Sequence, residues 1–263
     1  MTKKRILLKI GSNTLTKETD QLSRGKIEDI GRQIAALHHR YEFIIVSSGA
    51  IAAARQFVKL EHNGEDINVK QALAAIGQPH LMRIFQENFR ELGLFTSQCL
   101  LSYSDFEKKE SQENIKNTID VLVANNFIPI INENDTVATD EIQFGDNDKL
   151  AALTAVLVGA DLLLIATNTD GIYEKGSLEN ERPTTIETVS NIADLKKEIS
   201  HKKSTHGTGG MASKIEACTI AQRAGVETWI VNGLEDNFMA NALGGTSKHT
   251  RVKPEGANTK QPH

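Results

Sequence analysis

The sequence has little cysteine and no long apolar run, and each shortage removes a class of protein. Cys99 and Cys218 lie far apart in apolar surroundings, which favours reduced thiols over a disulfide framework. The apolar run over residues 6–8, after a basic start, is too short for a signal peptide. No stretch reaches the roughly 20 apolar residues of a membrane span. We therefore expect a soluble, cytoplasmic protein that does not associate with a membrane.

The sequence also lacks an excess of positive charge and a P-loop. Its formal net charge of −4 offers no attraction to nucleic acid or anionic membranes. No Gly-x4-Gly-Lys-[Ser/Thr] motif occurs, which excludes P-loop enzymes. Residues 207–212 fit the loose dinucleotide pattern Gly-x-Gly-x-x-Ala. The residues before it make a poor strand, however, and the strand after it ends without a carboxylate, so the pattern does not favour an oxidoreductase.

What the sequence does contain is a regular alternation of strands and helices. Apolar runs predict strands over residues 5–10, 42–46, 94–100, 127–131, 161–166 and 227–231. Apolar residues at helical spacing predict helices over 22–40, 81–92, 115–123 and 150–157. This order predicts an α/β fold whose mainly parallel sheet has helices on both faces. We predict a hairpin and lid over 174–206, one domain over 1–250 and a disordered polar tail over 251–263.

A polar stretch over residues 131–150 joins a predicted strand to a predicted helix and is rich in carboxylates and amides. Its acidic residues are Glu133, Asp135, Asp140, Glu141, Asp146 and Asp148, and its amides are Asn132, Asn134 and Asn147. In open α/β sheets, ligands bind where strands end and helices begin. These carboxylates could hold Mg²⁺, receive a cationic group of a substrate or position basic residues. Equally, the stretch could be an acidic turn in which Asp146 caps the helix.

Three glycine-rich turns, over residues 11–14, 47–50 and 207–211, lie where elements meet. Glycine lets a backbone approach a ligand and helix N termini bind anions, so three such turns favour a phosphate ligand. Lys9 precedes the first turn and Lys214 follows the third. Either these lysines reach solvent, or they face one anionic centre and are held by a carboxylate such as Asp148. The second arrangement is typical of phosphoryl transfer.

These motifs resemble those of the amino acid kinase superfamily and, within it, those of the glutamate 5-kinases. The matching segments are residues 8–12 (Leu-Lys-Ile-Gly-Ser), 46–52 (Val-Ser-Ser-Gly-Ala-Ile-Ala), 131–137 (Ile-Asn-Glu-Asn-Asp-Thr-Val), 144–148 (Phe-Gly-Asp-Asn-Asp) and 207–211 (Gly-Thr-Gly-Gly-Met). They occur in the order found in the family, and Lys214 follows them. Within the superfamily, the motif Asn-Glu-Asn-Asp followed by Gly-Asp-Asn-Asp is specific to the glutamate enzymes.

The resemblance implies a three-layer α/β/α sandwich that transfers the γ-phosphoryl group of ATP to the side-chain carboxylate of L-glutamate, the first step of proline biosynthesis. It also implies use of Mg²⁺ and feedback inhibition by proline. We further expect a functional link to glutamyl phosphate reductase and a homo-oligomer. A carboxylate nucleophile with a pKa of about 4.3 is already ionised at pH 7, so no general base is needed. The alternatives are a kinase of another acid, such as aspartate or N-acetylglutamate, and a non-catalytic amino-acid sensor.

The resemblance also assigns roles to residues. Lys9 and Lys214 would stabilise the transferring phosphoryl group, and Asp148 would orient both. Glutamate would be bound by Ser48, Asp135 and Asn147, with Asp135 suited to the ammonium group. The nucleotide-binding residues would be Lys9, Gly11, Thr167, Asn168, Gly207, Thr208, Gly209, Gly210, Met211 and Lys214, and no residue is assigned to a metal. Asn168 stands where better-known relatives carry Asp, and many relatives continue into a C-terminal PUA domain that has no counterpart here.

Overall fold

The fold is built on strands that are almost wholly apolar. A computed structural model describes residues 3–19, 21–60, 66–138, 147–174, 176–177, 183–193, 195 and 210–255. The strands are β1 (Lys4–Ile10), β2 (Tyr41–Ser47), β3 (Phe95–Leu101), β4 (Phe127–Glu133), β5 (Leu162–Thr167), β6 (Thr188–Val189), β7 (Glu227–Asn232) and β8 (Thr250–Val252). The helices are α1 (Ser12–Thr16), α2 (Arg24–Leu37), α3 (Ala50–Arg55), α4 (Ile67–Glu91), α5 (Lys109–Ala124), α6 (Asp148–Leu157), α7 (Met211–Arg223) and α8 (Phe238–Leu243).

The described strands form one sheet in the order β3-β4-β2-β1-β5-β7-β8-β6. Neighbouring strands from β3 to β7 run parallel, whereas β8 runs antiparallel to β7. The predicted α/β fold with a mainly parallel sheet is therefore confirmed. Parallel strands are joined by helical crossovers, and these cover both faces of the sheet.

Two apolar cores lie on opposite faces of the sheet and give the three-layer α/β/α sandwich. Successive residues of a strand point to opposite faces. Ile6 and Leu8 of β1 pack in the core that contains α2 and α4, whereas Leu7 packs in the core that contains α5, α6 and α7. The same alternation places Lys9 on the face of Leu7. The helices α6 and α7 cover the sheet on that face, so they are the elements able to bring partners to Lys9.

Helix α4 is much longer than the sequence predicts. The predicted helix covers residues 81–92, but α4 begins at Ile67 and runs through Gly77 and Pro79, two residues that usually interrupt helices. Gly77 is required by packing, since a Cβ atom there would lie 1.8 Å from the carbonyl oxygen of Ala50 in α3. Close packing of α3 on α4 therefore outweighs the low helix propensity of this segment.

The boundary predicted for the polar tail is wrong at its first residues. Arg251 and Val252 belong to β8, which pairs with β7 and β6. Val252 is fully buried. The main chain is held as far as residue 255, since Glu255 N donates to Gln222 O and Gln222 Nε2 donates to Lys253 O. The sequence pattern places Arg251 and Val252 in the polar tail because a strand of three residues carries almost no apolar pattern. Residues 256–263 lie outside the described residues.

Truncation after Thr250 is expected to destabilise the protein, because it removes a buried valine and the main-chain bonds of β8. The loss should be about 2–4 kcal/mol, which lowers Tm by about 5–15 °C. The measurement is thermal unfolding of this truncation beside one made after Glu255, so that the difference isolates residues 251–255. Equal Tm values for the two truncations would show that β8 contributes nothing to stability.

The segment predicted as a hairpin and lid is described in part. Tyr173 and Thr185 form an antiparallel bridge, and Ile186 N donates to Ile172 O, so the base of the hairpin is present. Within the predicted hairpin and lid over 174–206, residues 175, 178–182, 194 and 196–206 lie outside the described residues. Across the part of the chain that the structure describes, no helix combines the length and apolarity needed to cross a bilayer.

Candidate active site

Two lysines bind the two oxygens of one buried carboxylate. Lys9 Nζ lies 2.5 Å from Asp148 Oδ1, and Lys214 Nζ lies 3.0 Å from Asp148 Oδ2. Lys9, Asp148 and Lys214 are 2%, 0% and 7% exposed, respectively. The predicted contact between these lysines and Asp148 is present, although Lys214 lies 66 residues after Asp148 in the chain. The bland alternative, in which the lysines reach solvent, is wrong because both are buried.

Three elements of the fold position this cluster. Lys9 is the second-last residue of β1, Asp148 is the first residue of α6, and Lys214 lies in the first turn of α7. The N-terminus of a helix favours a negative charge, so α6 supports the carboxylate it carries. Ser213 Oγ also donates to Asp148 Oδ2, at 3.2 Å. Asp148 is therefore a fixed anchor for two cations that come from different elements.

The charge of Asp148 is maintained by its partners. Burial by itself raises the pKa of a carboxyl group, but attraction from Lys9 and Lys214 outweighs burial and holds the pKa of Asp148 well below its usual value. Asp148 is thus a carboxylate at any pH at which the protein works. One negative charge facing two positive ones leaves the cluster with an excess of one positive charge, which suits a site for an anion.

A second polar cluster lies at the ends of β2 and β4. Asn147 is completely buried, and its Nδ2 atom donates to Asn132 Oδ1 at 2.8 Å and to Ser48 Oγ at 3.2 Å. Ser48 follows β2, and its N–H donates to the carbonyl oxygen of Ile10, the last residue of β1. Since Asn147 directly precedes Asp148, this cluster and the lysine cluster are neighbours at the same edge of the sheet.

Asp135 lies in the turn after β4 and is 8% exposed. This turn is held from α4, where Gln71 Nε2 donates to Asp135 O at 2.8 Å. Burial, reinforced by the nearby charge of Glu133, raises the pKa of Asp135 to about 7. A cation placed beside Asp135 would relieve both causes, so the turn is prepared to receive a positively charged group.

Two buried acceptor atoms in this cluster have no hydrogen-bond donor among the described residues. They are Asp135 Oδ1 and Asn147 Oδ1. Leaving a buried polar atom unpaired is costly, and such atoms are uncommon in folded proteins. Two acceptors in one polar cluster indicate a ligand that brings hydrogen-bond donors, as an ammonium group does.

The residues predicted to bind a nucleotide lie at the ends of β1 and β5 and at the start of α7. Gly11 follows β1, and a Cβ atom there would stand 3.4 Å from Lys9 Nζ. Thr167 ends β5, and the next residue, Asn168, donates from Nδ2 to Glu18 Oε1 at 2.9 Å. Gly210 caps α7 and Met211 is its first residue. Gly207, Thr208 and Gly209 lie outside the described residues.

Three residues that contact these clusters were not predicted as site residues. Asn132 and Ser213 stand within or beside the polar segments that the sequence analysis singled out, so position along the chain was an available signal. Gln78 accepts from Asn132 Nδ2 at 2.9 Å, yet it lies on α4, far from every motif. No pattern in the sequence indicates Gln78. The predicted N-cap, Asp146, lies outside the described residues, and the residue that caps α6 is Asn147.

Among the described residues, which are 3–19, 21–60, 66–138, 147–174, 176–177, 183–193, 195 and 210–255, no three His, Cys, Asp or Glu side chains are grouped so that they could hold a metal ion. Asp148, the carboxylate nearest the predicted phosphate site, already binds two ammonium groups.

Several known proteins resemble this chain over most of its length. The chain is 41% identical over 249 residues to the glutamate 5-kinase of Alkaliphilus metalliredigens, with 94% of each chain covered. It is 39% identical over 241 residues to the glutamate 5-kinase of Neisseria meningitidis serogroup C, covering 91% of this chain and 65% of that relative. The chain thus spans nearly the whole of one relative and about two thirds of the other.

The fold itself also has a known counterpart. The carbamate kinase of Giardia lamblia, solved bound to AMP-PNP, superimposes with a TM-score of 0.67 over 96% of this chain and 99% of that one, at 14% identity. The sequence profile of the amino acid kinase family matches residues 4–232. That match covers most of the chain and every described element of the lysine cluster, so the chain belongs to the amino acid kinase family.

Proposed function

We propose that this protein transfers the γ-phosphoryl group of ATP to the side-chain carboxylate of L-glutamate and forms L-glutamyl 5-phosphate. The observation that carries the proposal is the pair of buried lysines on the two oxygens of Asp148, together with two nearby acceptors, Asp135 Oδ1 and Asn147 Oδ1, that have no donor among the described residues. The first cluster suits a phosphate group in transfer and the second suits the ammonium end of an amino acid. Family membership and the names of the relatives support the same reaction.

The lysine cluster accounts for the chemistry of transfer. A glutamate carboxylate oxygen attacks the γ-phosphorus, the bond from that phosphorus to the bridging oxygen breaks, and ADP leaves with the electron pair. Negative charge is redistributed over the phosphoryl oxygens as this happens. Lys9 and Lys214 are cations fixed in advance beside that charge, which lowers the barrier without reorganisation. Asp148 positions both, and no residue needs to remove a proton because the nucleophile is already ionised.

The second cluster accounts for binding of the amino-acid end. Asp135 is suited to the ammonium group, since it is a buried carboxyl group whose pKa is raised to about 7 and whose Oδ1 atom has no donor among the described residues. Asn147 Oδ1 is a second acceptor for that group. Ser48 completes the set as a hydroxyl that both donates and accepts. Together these residues would hold the α-end of glutamate so that its side chain extends toward Lys9 and Lys214.

The nucleotide would lie along the ends of β1 and β5 and the N-terminus of α7. Gly11 permits close approach beside Lys9, while Thr167 and Asn168 border the site on the β5 side. Gly210 and Met211 begin α7, where free N–H groups favour phosphate, and Gly207, Thr208 and Gly209 precede them. Mg²⁺ would accompany the phosphates of ATP, neutralising charge and holding them in order.

The remaining proposals concern the setting of the reaction. We place it in the cytoplasm as the first step of proline biosynthesis, with proline as feedback inhibitor and glutamyl phosphate reductase as the enzyme that takes the product. We also propose a homo-oligomer, because β3 lies at one end of the sheet and exposes Phe95 and Leu100. An uncovered edge of this kind is normally protected or paired.

The binding of glutamate should depend on pH in a defined direction. The pKa of Asp135 in the free protein is about 7, and only its ionised form accepts an ammonium group well. The value of kcat/KM for glutamate is therefore expected to rise about tenfold per pH unit below pH 7 and to level off above it. The measurement is a pH profile between 5.5 and 8. Asp135→Asn should bind glutamate weakly and show a flat profile, and an unchanged rise in that variant would exclude Asp135 as its source.

One assay distinguishes the proposed function from its alternatives. The protein is incubated with ATP, Mg²⁺ and one candidate acid, and hydroxylamine converts any acyl phosphate to a hydroxamate. We expect a product with L-glutamate. A product with N-acetylglutamate or aspartate in its place would assign a sister kinase. Binding of glutamate without any turnover would assign a sensor.

A further inference from the structure

We call the polar group of Ser48, Asn132, Asp135 and Asn147 the substrate cluster. Four side-chain amides form a continuous chain of hydrogen bonds that leads from this cluster to β3, the strand at one end of the sheet. Asn147 donates to Asn132 at 2.8 Å, Asn132 donates to Gln78 at 2.9 Å, and Gln78 donates to Gln98 at 3.3 Å. The first three residues are 0%, 1% and 8% exposed, and Gln98 is exposed on β3. In each of the three bonds, the residue nearer Ser48 and Asn147 donates and the next residue toward β3 accepts.

Two backbone groups set this direction. Glu133 N can only donate, and it lies 2.9 Å from Asn132 Oδ1, so the oxygen of that amide must face the backbone. Ser47 O can only accept, and Asn147 Nδ2 lies 3.4 Å from it. Oxygen and nitrogen of an amide are usually told apart by their partners alone. Here the partners leave one choice for each asparagine.

The direction has a consequence for the substrate. Because Asn147 directs its NH₂ group to Asn132 and Ser48, its oxygen is left as a buried acceptor without a donor among the described residues. The opposite orientation would present an NH₂ group, which repels an ammonium ion. The arrangement of the amides therefore decides whether the cluster receives a cation.

Gln78 is the residue that completes this arrangement from outside the site. With its oxygen fixed by the backbone, Asn132 must direct its NH₂ group away from the cluster, and Gln78 Oε1 is the acceptor that receives it. We propose that Gln78 is a positioning residue for the amino-acid subsite: it holds Asn132, and through Asn132 it holds Asn147 with its oxygen toward the substrate ammonium. This inference rests on the proposed function for the identity of the substrate, but not for the geometry.

The test compares Gln78→Met with Gln78→Glu. Methionine has a similar length but no strong acceptor, whereas glutamate keeps an oxygen for Asn132 Nδ2. Gln78→Met is expected to raise KM for glutamate about tenfold or more, because it leaves a buried amide group unpaired. KM for ATP and kcat should change less than twofold. Gln78→Glu should keep KM for glutamate close to that of the original protein, as should Gln98→Met, which removes only the exposed end of the chain.

Three outcomes would overturn the proposal. One is an unchanged KM for glutamate in Gln78→Met, and another is an equal rise in Gln78→Glu. The third is an equal rise in KM for glutamate and KM for ATP together with a fall in Tm, which would indicate a role in stability alone.

A second readout does not depend on the reaction. Nuclear magnetic resonance of the side-chain amides should show slow hydrogen exchange for the NH₂ group of Asn147 in the original protein and in Gln78→Glu, and fast exchange in Gln78→Met. Slow exchange in all three would contradict the positioning role. If this pattern holds but glutamate is not phosphorylated, the proposed function fails and the role of Gln78 stands.

Discussion

Replacing Lys9 or Lys214 with methionine is expected to lower kcat by about 10²–10³-fold, the usual cost of losing one preorganised group that faces charge in the transition state. Both lysines bind the same carboxylate, at 2.5 and 3.0 Å, so their effects should be coupled and not additive. KM values for ATP and glutamate should change less than kcat, because the charge these lysines stabilise develops mainly during transfer.

The role of Asp148 is tested by the same series. Asp148→Asn alone should also lower kcat strongly, since it releases both lysines from position. In a variant that carries both Lys9→Met and Lys214→Met, Asp148→Asn should lower kcat much less, because no lysine remains for Asp148 to orient. Removing one partner of a buried ion pair can unfold a protein, so each variant needs a thermal unfolding curve. Full additivity in variants that remain folded, or loss of glutamate binding with kcat intact, would refute the assigned roles.

L-Aspartate is expected to be phosphorylated about 100-fold less efficiently than L-glutamate, as judged by kcat/KM. In the proposed mode of binding, Asp135, Asn147 and Ser48 would hold the α-end of the substrate at one place, and the lysine cluster would hold the phosphoryl group at another. A side chain shorter by one methylene leaves the nucleophile short of the phosphorus, and a misplacement of about 1 Å can cost about 100-fold. The hydroxamate assay, run with both acids at several concentrations, measures the ratio.

A comparison with glutarate separates length from recognition of the ammonium group. Glutarate has the chain length of glutamate but no ammonium, so it should fail through weak binding, whereas aspartate should fail mainly through kcat. Equal efficiency with glutamate and aspartate would refute the assignment of the two clusters to opposite ends of the substrate. It would leave the lysine cluster as a phosphoryl site for an acid of another shape.

Local patterns were enough to predict most elements, and they failed where packing decided. Short apolar runs predicted the central strands to within one or two residues, because strands covered on both faces must be apolar throughout. The start of α4 was missed because Gly77 and Pro79 oppose a helix locally, while contact with α3 requires the glycine. Strand β8 was missed because three residues are too few to show a strand pattern. Its conformation depends on main-chain pairing with β7 and β6.

The chain's own sequence determined which chemistry was present: two lysines and one carboxylate beside glycine-rich turns, and a polar segment after β4. Those residues also identified the family, a prediction that the comparisons confirm. Only the tertiary structure decided how the groups face each other. Packing of residues that are distant in the chain places Asp148 between Lys9 and Lys214. It also buries Asp135, which raises the pKa of that residue to about 7, and it brings Gln78 to Asn132. Desolvation and hydrogen-bond direction depend on that packing, and no local pattern specifies them.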